Sequence, residues 1–426
     1  FMNDIFVEKF GGASVNSAKA VKNVETILKL SEKKRIVVIS AMGKTTNHLE
    51  NLVNNFFNKK DIEEEYFYIL NYHTQLIEEL FNNLDASTAL SKLQELCREL
   101  INRLNSLSST DYNFLYDSIV SFGERISTMI VSEFLNQIGL KNILLSAKDI
   151  IKTDNNYRDA NIDWMATQHA VEQNLLPLFS CYDTIIVQGF LGGTKEGLFT
   201  TLGREGSDYS ASILAHCTKA LSMTIWKDVP GLLNADPKRI KQTTKLSSVP
   251  YREAIELSYY GASIIHPKTI KPIENLSIPL YIKSFVSPLD KGSVICDKQE
   301  LIPKVTNYIF KDNQILLSIS PKDFSFIGEK NIAIIFSILA KNKVKVNLMQ
   351  NSAISFSLCF DENRNILPQL LDDLQEYYNI KYNISLQLVT LRHYTPEAVE
   401  SVLRNKKILI EQKNRTTAQF LVEDIE

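Results

Sequence analysis

A chain of 426 residues is long enough for about two or three domains, and its 44% apolar and 23% charged residues are ordinary for a globular protein. A net charge of −2 excludes a bulk attraction to nucleic acid or to anionic membranes, so an anionic ligand would need a local site. The five cysteines form no C-x-x-C pair, and no apolar run is long enough to cross a bilayer. These features predict a cytoplasmic protein whose partner is a small molecule, with neither nucleic acid nor membrane as a partner.

The first three hundred residues alternate short apolar strands with helical stretches. Strands are predicted at 5–10, 35–40, 142–146, 184–188 and 223–226, each followed by a turn and a helical pattern. From about 61 to 136 the pattern is helical, with almost no glycine or proline. We therefore predict an α/β domain with a mostly parallel sheet over residues 2–298, carrying a helical insertion at about 61–110.

Residues 299–426 have a different pattern. Strands at 315–320, 344–348 and 354–360, with helices at 331–341 and 366–378, give the order βαββα. Short connections between such elements are typical of a small α+β module, placed at about 312–384. Segments 386–392, 396–403 and 407–412 repeat part of this order, which predicts a second, abbreviated module.

The first segment with chemical content is Lys9-Phe-Gly-Gly12, at the end of the first predicted strand. Adjacent glycines let backbone N–H groups approach phosphate oxygens, and the next helix directs its positive end to the same place. Lys9 adds a charge for oxygens that become more negative in a transition state. For this motif alone, a plain strand-to-helix turn is the more frequent explanation.

The second segment is Gly203-Arg-Glu-Gly-Ser-Asp-Tyr209, which follows a glycine-dense stretch from Gly189. Such a loop before a helix can bind an anion with its amides. Arg204 could hold a carboxylate by two hydrogen bonds, and Asp208 could bind an ammonium group or orient a metal-bound water. A structural loop is the alternative.

The third segment, Trp226-Lys-Asp-Val-Pro-Gly231, starts where a predicted strand ends, and open α/β sheets bind ligands at such ends. Asp228 and Lys238 are placed for a nucleotide, with a capped turn as an equal alternative. Glu124 lies inside a helical segment and by itself indicates a solvated charge.

Seven segments, in order, resemble aspartokinases of the amino-acid kinase superfamily. They are K-F-G-G-A-S-V (9–15), V-V-I-S-A-M-G-K-T-T-N (37–47), F-G-E-R-I-S-T (122–128), G-F-L-G (189–192), T-T-L-G-R-E-G-S-D-Y-S-A (200–211), W-K-D-V-P-G-L-L-N-A-D-P-K (226–238) and Y-G-A-S-I-I-H-P-K-T (260–269). The resemblance implies a three-layer αβα catalytic domain, ACT-type regulatory modules and a homodimer formed through them. It also implies phosphoryl transfer from ATP, with Mg²⁺, to the side-chain carboxylate of L-aspartate, the first step toward lysine, threonine and methionine.

Matched positions imply a role for individual residues. The catalytic residues would be Lys9, Arg204 and Asp208. The residues around aspartate would be Ser40, Thr46, Glu124, Phe190, Arg204 and Ser207. The residues around the nucleotide would be Lys9, Gly11, Gly12, Lys227, Asp228, Leu233 and Lys238. No metal ligand is assigned.

The chain departs from the family pattern at several places. Glu205 replaces a glycine, and Ser263 stands where a lysine is usual, with Lys268 or Lys271 as candidate substitutes. An arginine is usual where Lys238 stands, and a tyrosine is frequent at Leu233.

In the first ACT-like module the positions that match the family's effector site are Lys330, Asn347 and Ala353, so both expected carboxylates are missing. Two alternatives remain open: another amino-acid kinase, and an ACT-based amino-acid sensor with weak catalysis.

Overall fold

The computed structural model describes residues 4–107, 111–262, 265–323 and 325–425. The chain folds into two compact units. The first comprises residues 1–232, 245–255 and 265–302, and the second comprises residues 233–244, 256–264 and 303–426. None of the helices in the described part of the chain is long and apolar enough to span a membrane.

The first unit is built on one large sheet. The strands from the start of the chain to residue 296 are β1 (Ile5–Phe10), β2 (Lys34–Ile39), β3 (Asn142–Leu145), β4 (Thr184–Gln188), β5 (Leu191–Gly193), β6 (Phe199–Thr201), β7 (Ser222–Lys227), β8 (Leu232–Leu233), β9 (Lys245–Leu246), β10 (Ser248–Pro250), β11 (Leu280–Ser284) and β12 (Ser293–Cys296). Eight of them form a sheet in the order β10-β12-β11-β7-β1-β2-β4-β3. Neighbouring strands from β11 to β3 are parallel, so the predicted mostly parallel sheet is confirmed.

Eleven α-helices accompany these strands in the described residues. They are α1 (Ala18–Leu28), α2 (Thr45–Phe57), α3 (Glu63–Leu80), α4 (Ser87–Ser106), α5 (Tyr112–Val120), α6 (Phe122–Gln137), α7 (Ala147–Ile150), α8 (Trp164–Ala170), α9 (Gly206–Thr218), α10 (Tyr251–Tyr260) and α11 (Pro267–Glu274). Helices α3 and α4 lie in the stretch for which a helical insertion is predicted.

Two consecutive residues of β1 show how the layers are arranged. Phe10 belongs to the apolar core that includes side chains of α1 to α6. Lys9 precedes it and therefore points to the opposite face of the sheet. There its ammonium group reaches α9, which packs against β1, β2 and β7. Helices thus cover both faces, which gives the three-layer αβα arrangement.

The second unit contains one antiparallel sheet. Its elements after residue 303 are β13 (Asn307–Pro321), α12 (Glu329–Lys341), β14 (Val346–Asn351), β15 (Phe356–Asp361), α13 (Leu367–Gln375), β16 (Tyr378–Arg392), α14 (Pro396–Leu403), β17 (Lys406–Lys413) and β18 (Thr417–Asp424). Six strands pair in the order β14-β15-β13-β16-β18-β17. The last strand, β18, is absent from the sequence-based expectation.

Both predicted modules share the two long strands of this sheet. The first part of β13, Asn307 to Lys311, pairs with the end of β16, and the remainder of β13 pairs with the start of β16. The register shifts after Lys311, where the sequence is Asp312-Asn-Gln314. This polar interruption makes β13 resemble a shorter strand in sequence, and the polar residues Lys381, Asn383 and Ser385 have the same effect in β16. The predictions therefore began at 315 and 386 instead of at 307 and 378.

Candidate active site

Several of the candidate residues lie at one edge of the large sheet. In the parallel registers Phe10 lies opposite both Ile39 and Trp226, and Ile39 lies opposite Gln188. The carboxyl ends of β1, β2, β4 and β7 therefore lie side by side. Open α/β sheets bind ligands at this edge.

An ion pair joins β1 to the start of α9. Nζ of Lys9 lies 2.8 Å from Oδ1 of Asp208, with side chains only 12% and 7% exposed. Oδ1 accepts no hydrogen bond from the described residues, so the contact is an ion pair. A Cβ atom added to Gly11 would lie 3.3 Å from the Lys9 ammonium. Glycine at this position keeps space open beside the charge.

The glycine turn after β1 contacts the loop after β2. A Cβ atom on Gly12 would lie 2.9 Å from the carbonyl oxygen of Ala41, and the Gly43 N–H donates to the Gly12 carbonyl at 3.2 Å. Ser40 begins this loop, and its N–H donates to the Phe10 carbonyl at 3.1 Å. Close backbone approach is therefore the reason for glycine at position 12.

Glu124 lies in the first turn of α6 and is 3% exposed. The Ala41 N–H donates to its Oε1 at 3.1 Å, while Oε2 has no hydrogen-bond partner in the described residues. Burial raises the pKa of Glu124 to about 8, against the opposing effects of the Ala41 N–H and the Lys9 ammonium. The local expectation of a solvated charge is therefore wrong. A buried carboxyl group with an unused oxygen is suited to a cationic ligand group.

Two residues around the glycine-rich loop pack directly on glycines. A Cβ atom on Gly206 would lie 2.5 Å from the Phe190 ring, and one on Gly189 would lie 2.7 Å from Oγ of Ser207. Phe190 itself has a φ of +67°, a conformation that non-glycine residues rarely adopt. These contacts place Phe190 and Ser207 beside Asp208 at the start of α9.

Arg204 and Glu205 are both exposed but differ in their contacts. Arg204 makes no hydrogen bond or ion pair with the described residues, so its guanidinium group is available to a ligand. Glu205 adopts the left-handed conformation with φ of +55°, and its carboxylate accepts the His266 N–H at 2.9 Å. The substituted glutamate therefore keeps the backbone conformation that a glycine would favour.

Lys268 and Lys271 are the candidate substitutes for the lysine that is usual at position 263. Ser263 itself lies outside the described residues. Nζ of Lys268 binds Oδ1 of Asp159 at 2.8 Å and the Leu202 carbonyl at 3.1 Å, so this lysine holds the glycine-rich loop. Lys271 lies in the last turn of α11.

The remaining candidates are less closely connected. Thr46 is half-buried in the first turn of α2, and Lys227 ends β7 next to the exposed Asp228. Leu233 and Lys238 belong to the second unit, where the Lys238 N–H donates to Asp236 at 2.9 Å. The structure brings Lys227 to the same sheet edge as Lys9, because β7 pairs with β1.

Sequence reasoning missed Asp117, which is 0% exposed in the middle of α5. Its carboxylate accepts the N–H of Thr201 at 2.8 Å and the Thr201 hydroxyl at 2.7 Å. Burial raises the pKa of Asp117 to about 6, against these hydrogen bonds. A charged residue inside the mostly apolar segment Leu115 to Val120 was the available indication.

Comparison with known proteins gives matches over most of the chain. The profile of the amino acid kinase family matches residues 4–284. Aspartokinase 1, chloroplastic, of Arabidopsis thaliana is 34% identical over 385 residues, covering 87% of this chain, and the chain spans only 66% of that relative's length. Aspartokinase 3, chloroplastic, of the same plant is 33% identical, with 87% of this chain and 67% of the relative covered.

Solved structures match both units. Aspartokinase III of E. coli in complex with lysine and aspartate has a TM-score of 0.82 and 27% identity, with 98% of this chain and 96% of that chain covered. The same enzyme in complex with aspartate and ADP also has a TM-score of 0.82, with 26% identity and the same coverage.

Proposed function

Because this chain belongs to the amino acid kinase family, among its aspartokinases, we propose that it transfers the γ-phosphoryl group of ATP to the side-chain carboxylate of L-aspartate. The products are 4-phospho-L-aspartate and ADP. The observation that carries the proposal is the Lys9–Asp208 ion pair, at the carboxyl ends of parallel strands that also bring in the buried Glu124. The aspartate and ADP complex of the E. coli enzyme supports the same pair of ligands.

The acceptor carboxylate is ionised at neutral pH, so the reaction needs no general base. Catalysis then consists of aligning the two reactants and stabilising charge on the transferring group. Lys9 supplies a fixed positive charge to the phosphoryl oxygens, and Asp208 holds the ammonium group in its orientation. Backbone amides at Gly11 and Gly12 add further donors beside it.

The substrate's two α-groups have separate partners in this proposal. Arg204, exposed and without a protein partner in the described residues, takes the α-carboxylate by two hydrogen bonds. Glu124, with its unused Oε2, takes the α-ammonium group. We assign four further side chains to the aspartate site: Ser40, Thr46, Phe190 and Ser207.

ATP lies beyond the sheet edge in this proposal, next to Lys227 and Asp228 of the first unit. The described residues contain no group of three or more His, Cys, Asp or Glu side chains that could hold a metal ion. A Mg²⁺ ion would arrive with ATP and would be held chiefly by phosphate oxygens, and Asp208 is the acidic side chain that could orient its waters. When bound, Mg²⁺ neutralises phosphate charge.

The second unit is proposed to form a homodimer. Several large apolar side chains of this unit are exposed, namely Phe326, Ile334, Phe336, Met349 and Ile354. These side chains lie on α12, on β14 and in the segments beside them, and we assign them to the dimer interface. Phe326→Ser with Ile354→Ser should yield a monomer in sedimentation equilibrium, and an unchanged mass would contradict this interface.

All five cysteines are free thiols, which supports a cytoplasmic location.

The deciding experiment for the reaction measures ADP release with aspartate, glutamate and N-acetylglutamate in turn. Hydroxylamine in the assay converts an acyl phosphate to a hydroxamate, whose coloured complex with ferric ion identifies a carboxylate acceptor. Hydroxamate formed only with aspartate supports the proposal. Formation with another amino acid indicates a different amino-acid kinase, and ligand binding without ADP release indicates a sensor.

A further inference from the structure

The aspartate that sequence reasoning missed connects two parts of the candidate site. Asp117 is fully buried in α5, among neighbours that include Tyr116 and Ile119. A buried carboxylate is costly unless hydrogen bonds compensate for lost water. Its presence in the buried half of α5 therefore points to a specific set of partners.

Those partners are all hydrogen-bond donors. Oδ2 accepts the Thr201 N–H at 2.8 Å, and Oδ1 accepts the Thr201 hydroxyl at 2.7 Å. Both oxygens lie 3.1 Å from the backbone nitrogen of Arg158, which donates a third N–H. A carboxylate offers only acceptors, so it fits these three donors. An amide of the same shape would turn its own N–H groups toward one of them.

The position of these contacts in the chain gives them a functional meaning. Helix α5 continues through Ser121 into α6, whose first turn carries Glu124. Thr201 ends β6, three residues before Arg204, and its carbonyl accepts the Ala160 N–H at 3.0 Å. Asp117 thus ties the helix pair that carries Glu124 to the strand that leads to Arg204.

We propose that Asp117 is a positioning residue that fixes the separation between Glu124 and Arg204. It thereby supports binding of both α-groups of the substrate. This inference rests on the proposed function, because it assigns those two residues to the α-ammonium and α-carboxylate groups. Asp117 contacts no reacting atom in this account. It acts through the backbone of Thr201 and through the start of α6.

The test uses Asp117→Asn in the full chain. The KM for aspartate should rise by about tenfold or more, because small displacements of substrate-positioning groups are costly, while the KM for ATP changes less than twofold. Thr201→Val keeps the backbone N–H and removes only the hydroxyl, so it should raise the aspartate KM by a smaller factor. In the double variant the aspartate KM should rise by less than the product of the two single factors, because both substitutions remove the same contact.

A general loss of stability is controlled by Ile295→Ala, which opens a cavity at β12, a strand that pairs with β10 and β11 and not with β6. It should lower Tm without a selective change in the aspartate KM. If Asp117→Asn does not fold, Thr201→Val carries the test. Equal changes in both KM values, or a selective rise of the aspartate KM in Ile295→Ala, would overturn the inference. A wild-type chain without aspartate-dependent ADP release would instead overturn the proposed function.

Discussion

The ammonium group of Lys9 lies 2.8 Å from the carboxylate of Asp208, although the two residues belong to different layers of the fold. Lys9 comes from the parallel sheet, and Asp208 comes from the first turn of α9, whose positive end faces the same space. The pair is mutually dependent: removal of either side chain leaves the other charge nearly buried and without its partner.

Lys9→Ala should reduce kcat by about a hundredfold to a thousandfold, because a preorganised charge at developing phosphoryl oxygens contributes ~3–4 kcal/mol. Steady-state kinetics at saturating aspartate and ATP measure the effect. Because Asp208 is left without its cation, Tm should fall as well. Adding Asp208→Asn to Lys9→Ala should recover part of the lost Tm but none of the lost kcat. Near-normal kcat in a folded Lys9→Ala variant would remove Lys9 from the mechanism.

Arg204→Lys should raise the KM for aspartate strongly while leaving the KM for ATP almost unchanged. The variant keeps the positive charge but loses the planar fork that binds a carboxylate by two hydrogen bonds. The exposed Arg204 makes no hydrogen bond or ion pair with the described residues, so the substitution should leave Tm unchanged. Equal rises in both KM values would place Arg204 on the phosphates of ATP instead.

These two residues belong to the part of the site that local sequence could predict. Lys9 and Arg204 stand in short motifs whose glycines mark a phosphate-binding turn, and the strand positions followed from uninterrupted apolar runs. Asp117 could not be found in this way, because its partners Arg158 and Thr201 are 41 and 84 positions away. The burial of Glu124 was likewise invisible, since it depends on α6 packing against the loop after β2.

Glu124 should make aspartate binding dependent on pH. The pKa of about 8 means that this buried carboxyl group is largely protonated at neutral pH without substrate, whereas pairing with an α-ammonium group requires the ionised form. Binding should therefore release a proton. The KM for aspartate should fall by up to about tenfold per pH unit as pH rises from about 6 to 8. In Glu124→Gln the KM should be higher and independent of pH.

The same group affects stability with a definite sign. Its pKa is raised above the unfolded value of 4.5, so folding takes up a proton, and the free energy of unfolding falls as pH rises from about 4.5 to 8. Glu124→Gln should remove this dependence, and the variant without substrate should gain stability relative to wild type at about pH 8. The assignment of Glu124 to the α-ammonium group would be contradicted if the wild-type KM for aspartate did not change between about pH 6 and 8. Proton uptake, or no proton exchange, on aspartate binding would contradict it as well.

Substitutions of Glu205 can separate the energetic cost of its positive φ from the contribution of its hydrogen bond to His266. Glu205→Ala keeps the cost of a positive φ and loses the hydrogen bond to His266, so it should destabilise by about 1 kcal/mol. Glu205→Gly loses the same bond but relieves the backbone by ~1 kcal/mol, so it should be nearly neutral. Urea unfolding of both variants measures the difference. Equal destabilisation by alanine and glycine would show that the left-handed conformation carries no cost here.

The candidate effector positions in the second unit bear on regulation. Asn347 lies on β14, where its amide oxygen accepts Nζ of Lys311 at 2.8 Å and its amide nitrogen donates to Asp361 at 2.9 Å. Burial lowers the pKa of Lys311, while the charge of Asp361 opposes that shift. The ammonium group of Lys311 therefore already donates a hydrogen bond to the amide oxygen of Asn347.

Feedback inhibition by lysine should therefore be weak or absent. Lys330, exposed in the first turn of α12, adds a like charge, and Ala353 offers no carboxylate in the turn between β14 and β15. A cationic effector would meet positive charge without a free acidic partner at these positions, which opposes its binding. Lysine and threonine titrated separately at sub-saturating aspartate measure the effect, with threonine as the neutral comparison. Asn347→Asp combined with Ala353→Glu should increase sensitivity to lysine, because both missing carboxylates are then present. Strong inhibition of the wild-type chain by sub-millimolar lysine would show that the cation is bound by other groups.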